Sequence, residues 1–112
     1  MADPLHTVVE TSAYLAAAKR VGLTDEDRTA IVDQVAADPT DGDVVRGSGG
    51  VRKVRFAGSG GFRVMAAYLG IDVPVFLLSV LAKGQRANFS DAEVAAMRAA
   101  TKAVKQKAKE RG

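Results

Sequence analysis

Apolar positions along the chain change their period several times, and each change marks an element. Residues 6–10, HTVVE, read as a short first strand. Beyond it Tyr14, Leu15 and Ala18 form an apolar stripe at helical spacing, which predicts a helix over residues 13–21. Thr11 or Ser12 can cap its start, and Gly22 ends it. Thr24 caps a second helix with Ile31, Val32 and Val35 on its apolar face. The link is so short that the two form a helical hairpin. Pro39 and Gly42 punctuate a turn over residues 37–42, and Val44-Val45 supply a brief strand.

From Val51 the period drops to two. Val51, Lys53 and Arg55 point one way; Arg52, Val54 and Phe56 point the other, a largely apolar face that suits a core. A third strand is predicted over residues 62–69. A fourth, over 73–82, reads VPVFLLSVLA and is apolar on both faces, the mark of an internal strand. Pro74 belongs near its start, where the missing N–H matters least. Ser90-Asp91-Ala92-Glu93 is a capping box, and Val94, Met97, Thr101 and Val104 stripe the final helix it opens. The order is strand, two helices, an antiparallel three-stranded meander and a last helix, which makes an α+β domain.

Composition narrows the chemistry. At 112 residues, 47% hydrophobic and 26% charged, the chain is expected to fold as one globular domain spanning residues 1–112. It has no cysteine and one histidine, so disulfides and thiolate metal sites are excluded and no cofactor or metal is expected. His6 is assigned no function. Asp25, Glu26 and Asp27 stand in the first turn of a helix, where carboxylates complement its partial positive charge, and are read as capping and not as metal ligands. No apolar run reaches membrane-span length, and the N-terminal residues lack the pattern of a signal peptide, so the cytoplasm is the expected location.

Charge is segregated behind the formal +3. Residues 1–43 hold nine acids against three bases, whereas residues 44–90 hold one acid against seven bases. No acid lies between Asp43 and Asp72, so nothing in the local sequence neutralises Lys53, Arg55 and Arg63. Cations gathered on predicted strands suit a polyanionic backbone. The glycine clusters beside them are read as turns. Gly47-Ser48-Gly49-Gly50 lacks the Gly-Lys-Ser/Thr ending of a phosphate-binding loop, and a strand follows where a helix should begin.

If this surface cleaves RNA, attack by a ribose 2′-OH needs a base, an acid and positive charge on the developing anion. No histidine is placed for proton transfer. Arginine stays protonated, so Arg55 and Arg63 position phosphate, and Lys53 and Lys83 are the cations able to exchange a proton. A lysine serves as base where neighbouring cations favour its neutral form, and Arg55 and Arg63 are the candidates to do so for Lys53.

The stretch GSGGVRKVRF followed by SGGFRV resembles the RelE/HigB superfamily of bacterial toxins, in the branch with a GxGGvRKvRw…GGxRViyy pattern. The resemblance runs from about Val8 to the last helix, taking in DPTDGD at 38–43, FLLSVLAK at 76–83 and FSDAE at 89–93. It implies a small curved antiparallel sheet with an N-terminal helical hairpin and a C-terminal helix, the helices packed against one side. It also implies the toxin half of a toxin–antitoxin system: a metal-independent, ribosome-dependent mRNA endonuclease that stops translation. The implied partners are the ribosome, its mRNA and a cognate antitoxin, with a toxin–antitoxin hetero-oligomer on operator DNA.

On the family pattern Lys53, Arg55, Arg63 and Lys83 fall at catalytic positions. Arg46, Arg52, Arg86 and Phe89 are expected to contact RNA. Phe89 stands where some relatives have tyrosine and can stack on a base but not move a proton. The turn at 57–61 is shorter than in many relatives, and Met65-Ala66-Ala67 replace the usual aromatics. Two other functions are compatible with this chain: a non-enzymatic gyrase inhibitor of the ParE type, which generally lacks such a basic cluster, and a plain RNA-binding domain, for which a single aromatic, Phe56, interleaves the basic strand.

Overall fold

The computed structural model describes residues 6–58, 61–70, 73–82 and 90–111. Five strands and three helices follow in the order β1 (Val8–Glu10), α1 (Ser12–Val21), α2 (Asp25–Ala37), β2 (Asp43–Val44), β3 (Val51–Arg55), β4 (Arg63–Ala67), β5 (Val75–Leu81) and α3 (Asp91–Arg111). The fold is α+β. The strands form one sheet in the order β1-β5-β4-β3-β2.

The meander β3-β4-β5 is antiparallel, with β2 antiparallel on its β3 edge. The expected all-antiparallel sheet is corrected at the other edge. There β1 pairs with β5 in parallel, Val8 opposite Val75, because the whole helical hairpin and half the sheet separate them in sequence. Strand β5 is thus internal, as its two apolar faces require. A register shift between Met65 and Ala66 places a bulge in the β4–β5 ladder, which bends the sheet locally.

Caps fix the helix ends. Thr11 Oγ1 accepts the Tyr14 N–H and donates to the Leu77 carbonyl, tying the start of α1 to β5. Gly22 closes α1 at φ 80°, in the left-handed region that glycine adopts without strain. Thr24 and Asp27 form a reciprocal capping box on α2, and Ser90 and Glu93 form one on α3.

The sheet has two different sides. On one, Tyr14, Ala17, Ala18, Ile31 and Val35 of the hairpin pack on Val54, Phe56, Val64, Ala66, Val75, Leu77 and Val80. The buried stripe of α1 is Tyr14, Ala17 and Ala18; Leu15, expected in it, is exposed, because positions i, i+3 and i+4 share a helix face and i+1 does not. On the other side Val51, Met65 and Ala67 are covered with help from Val45, Phe76, Leu78, Leu81 and Met97 of α3. The three helices therefore do not share one side as expected. The alternation of β3 makes both faces apolar at Val51 and Val54, and each needs its own cover.

Candidate functional site

Lys53, Arg55 and Arg63 come together on the α3 side of the sheet. Lys53 and Arg55 stand two residues apart on β3 and so share a face. Arg63 lies directly opposite Arg55 on β4, in the first antiparallel pair beyond the glycine turn. Arg55 is exposed, and Lys53 and Arg63 are half-buried. All three line an open cavity of about 270 Å³.

The same cavity is also lined by Asp41, Gly42 and Asp43. Expectation and structure part here. Strand β2 pairs antiparallel to β3 and sets Asp43 directly opposite Lys53. Continuing that register sets Asp41 level with Arg55. The cations are bordered by two carboxylates that lie ten or more positions earlier in the chain, so the local stretch is not left unneutralised. Gly42 makes this approach possible: its φ is 100°, and a Cβ there would collide with the Lys53 carbonyl oxygen.

Arg52 occupies the opposite face of β3 from Lys53. Its Nη1 donates to the carbonyls of Thr40 (3.1 Å) and Gly42 (3.3 Å). Thr40 is held in turn by Asp38, whose Oδ1 accepts from the Thr40 N–H at 3.1 Å and from its hydroxyl at 2.8 Å. Arg52, expected to contact RNA, clamps the turn that carries Asp41 and Asp43. Arg46 is exposed, but in the first glycine turn, at the far end of β3 from Arg55. Lys83, Arg86 and Phe89 lie outside the described residues.

Gln34 was not legible as a site residue. From α2 its Nε2 donates to the Arg55 carbonyl at 2.8 Å, and its Oε1 accepts the Ala57 N–H at 2.9 Å. One side chain thus completes the backbone pairing at the end of β3 and fixes where Arg55 leaves the sheet. A lone glutamine on a helix carries no signal of such a contact; only the tertiary fold supplies it.

The first glycine turn is structural. Ser48 is buried; its Oγ donates to the Val45 carbonyl at 2.6 Å and accepts the Val51 N–H at 3.0 Å. The turn then receives α3, with Thr101 packed over Gly49. Tyr68, another possible proton donor, packs with the hairpin-side core and meets His6 edge-on at 5.6 Å. It therefore faces away from Lys53.

A second charged group sits on the hairpin side. Arg28 Nε pairs with Glu10 Oε2 at 2.9 Å, and its Nη1 reaches Asp25 Oδ1 at 3.3 Å, tying α2 to β1. The hydrogen bond and charge of Glu10 raise the Arg28 pKa further above its ordinary value. Beneath them the fully buried Tyr14 hydroxyl has no hydrogen-bond partner, and burial, followed by the negative charge of Glu10, pushes its pKa up to about 12. No group of three metal-ligating side chains occurs among the described residues, and none of their helices is long and apolar enough to cross a membrane. No protein-family model matches the chain, and no curated protein matches it either.

Proposed function

We propose that this protein is a ribosome-dependent mRNA endonuclease, the toxin of a toxin–antitoxin pair, acting in the cytoplasm on RNA that the ribosome holds in place. One observation carries the reading: Lys53, Arg55 and Arg63, contributed by two strands, converge on a single open cavity. Arg55 and Arg63 present two planar forks to one site, a geometry suited to bidentate hold on a phosphate and to charge building up on it. Lys53 beside them adds a compact cation with exchangeable protons. The resemblance of the two glycine–basic segments to RelE/HigB toxins supplies the substrate and the antitoxin, and extends the site to Lys83, Arg86 and Phe89.

The protein is to be induced alone in bacterial cells while incorporation of labelled amino acids is followed. Incorporation is expected to stop with growth, and co-expression of the adjacent gene's product to restore both. Arrest with undiminished translation and with DNA damage would contradict this reading and favour gyrase as the target.

A further inference from the structure

We propose that Asp43 is the general base of the cation site, taking the proton from the attacking ribose 2′-OH. This rests on the nuclease reading above and names the group that reading lacks. A site that binds only phosphate gains nothing from carboxylates, which repel a polyanion and weaken its hold. Yet Asp41 and Asp43 share the cavity with Lys53, Arg55 and Arg63. A carboxylate can accept a proton, which neither an arginine nor a protonated lysine can do.

Of the two, Asp43 is the better placed. It stands on a strand, directly opposite Lys53 in the β2–β3 ladder, so its Cβ lies roughly 5 Å from that of Lys53. Asp41 belongs to the turn before the strand, level with Arg55 if the ladder is continued. Two features hold Asp43 there. Arg52 clamps the carbonyls of Thr40 and Gly42, and Gly42 lets the turn lie against the backbone of Lys53. The step then balances. Asp43 takes the 2′-OH proton as the 2′-oxygen bonds to phosphorus. The P–O5′ bond breaks, and Lys53 gives a proton to the leaving 5′-oxygen. The products are a 2′,3′-cyclic phosphate and a 5′-hydroxyl, which keeps the proton from Lys53; water then carries one proton from Asp43 to Lys53 and restores both groups. Arg55 and Arg63 stabilise the pentacoordinate phosphorane charge throughout.

The test is single-turnover cleavage of mRNA on programmed ribosomes, with ribosome affinity and thermal stability measured in parallel, for the parent, Asp43→Asn, Asp43→Glu and Asp41→Asn. Asp43→Asn is expected to cut on the order of a hundredfold more slowly or worse, the usual scale of a lost acid–base group, with affinity unchanged or tighter. Asp43→Glu keeps a carboxylate and is expected to recover most of the loss, which also guards against misfolding of the asparagine variant. Asp41→Asn is expected to stay within about tenfold of the parent, well short of an acid–base loss. If the parent cuts and Asp43→Asn cuts equally fast, or Asp43→Glu is as slow as Asp43→Asn, the base is not Asp43 while the nuclease reading stands. If the parent leaves the message intact, the nuclease reading itself falls, and this assignment with it.

Discussion

Arg55 and Arg63 face each other across adjacent strands, an arrangement that destabilises a sheet unless counter-charge is near. Asp41 and Asp43 bring counter-charge to the same cavity from the neighbouring edge. Tyr14 is a second residue kept at a cost. Its hydroxyl is buried without a partner, so Tyr14→Phe removes an unsatisfied group and is expected to stabilise the fold by about 1 kcal/mol or leave it unchanged. The folded-state pKa of Tyr14 is raised from 10 to about 12, so folding favours the neutral phenol. That contribution is fully present below pH 10 and is lost as pH rises through about 12. Denaturant melts of parent and variant between pH 9 and 12 check this: the parent's stability should fall more steeply. Parallel alkaline limbs would show that Tyr14 is not the group responsible.

Elements were legible in the sequence wherever their signals are local. Thr11, Thr24 and Ser90 act as caps, Gly22 ends α1, and the alternation from Val51 gives β3, because each depends on residues within a few positions. What escaped is what depends on distant pairing. The parallel docking of β1 on β5 spans most of the chain, and the two apolar faces of β3 did not reveal that α3 would cover the second. In the site, Lys53, Arg55 and Arg63 were readable because alternation and a tight turn bring them together. Asp43 was not, since its place beside Lys53 follows from the β2–β3 pairing, nor was Arg52's duty to the turn. Gln34 belongs to the same class. Gln34→Ala removes two hydrogen bonds to the backbone at the end of β3, which should lower stability by about 1–3 kcal/mol and slow cleavage through loss of Arg55 placement. Gln34→Glu retains the acceptor for Ala57 and loses the donor to Arg55, and should fall between. Unfolding curves and cleavage rates measured together check this ordering; loss of stability with cleavage intact would confine Gln34 to the fold.

At the scale of the molecule the sheet divides charge as well as core. The hairpin helices expose Asp25, Glu26 and Asp33 against Lys19 and Arg20, whereas α3 exposes Arg98, Lys102, Lys105 and Lys107 against Asp91. The site cations also belong to the α3 side. An RNA surface would therefore be drawn to the α3 side in preference to the hairpin side, which orients an approaching molecule before contact. On the proposed function that orientation matters, because a substrate held by the ribosome would need only positioning, charge and proton transfer from the site. On the proposed function, Lys53, Arg55 and Arg63 act on RNA as one site. Single-turnover cleavage on programmed ribosomes by Lys53→Arg and Arg63→Lys, with ribosome affinity alongside, tests it most directly. Lys53→Arg keeps charge and loses the exchangeable proton, so it should bind nearly as the parent and cut on the order of a hundredfold more slowly. Arg63→Lys loses the planar fork and should weaken both affinity and rate. Cleavage at the parent rate by both variants would contradict the claim and move the chemistry off this face of the sheet.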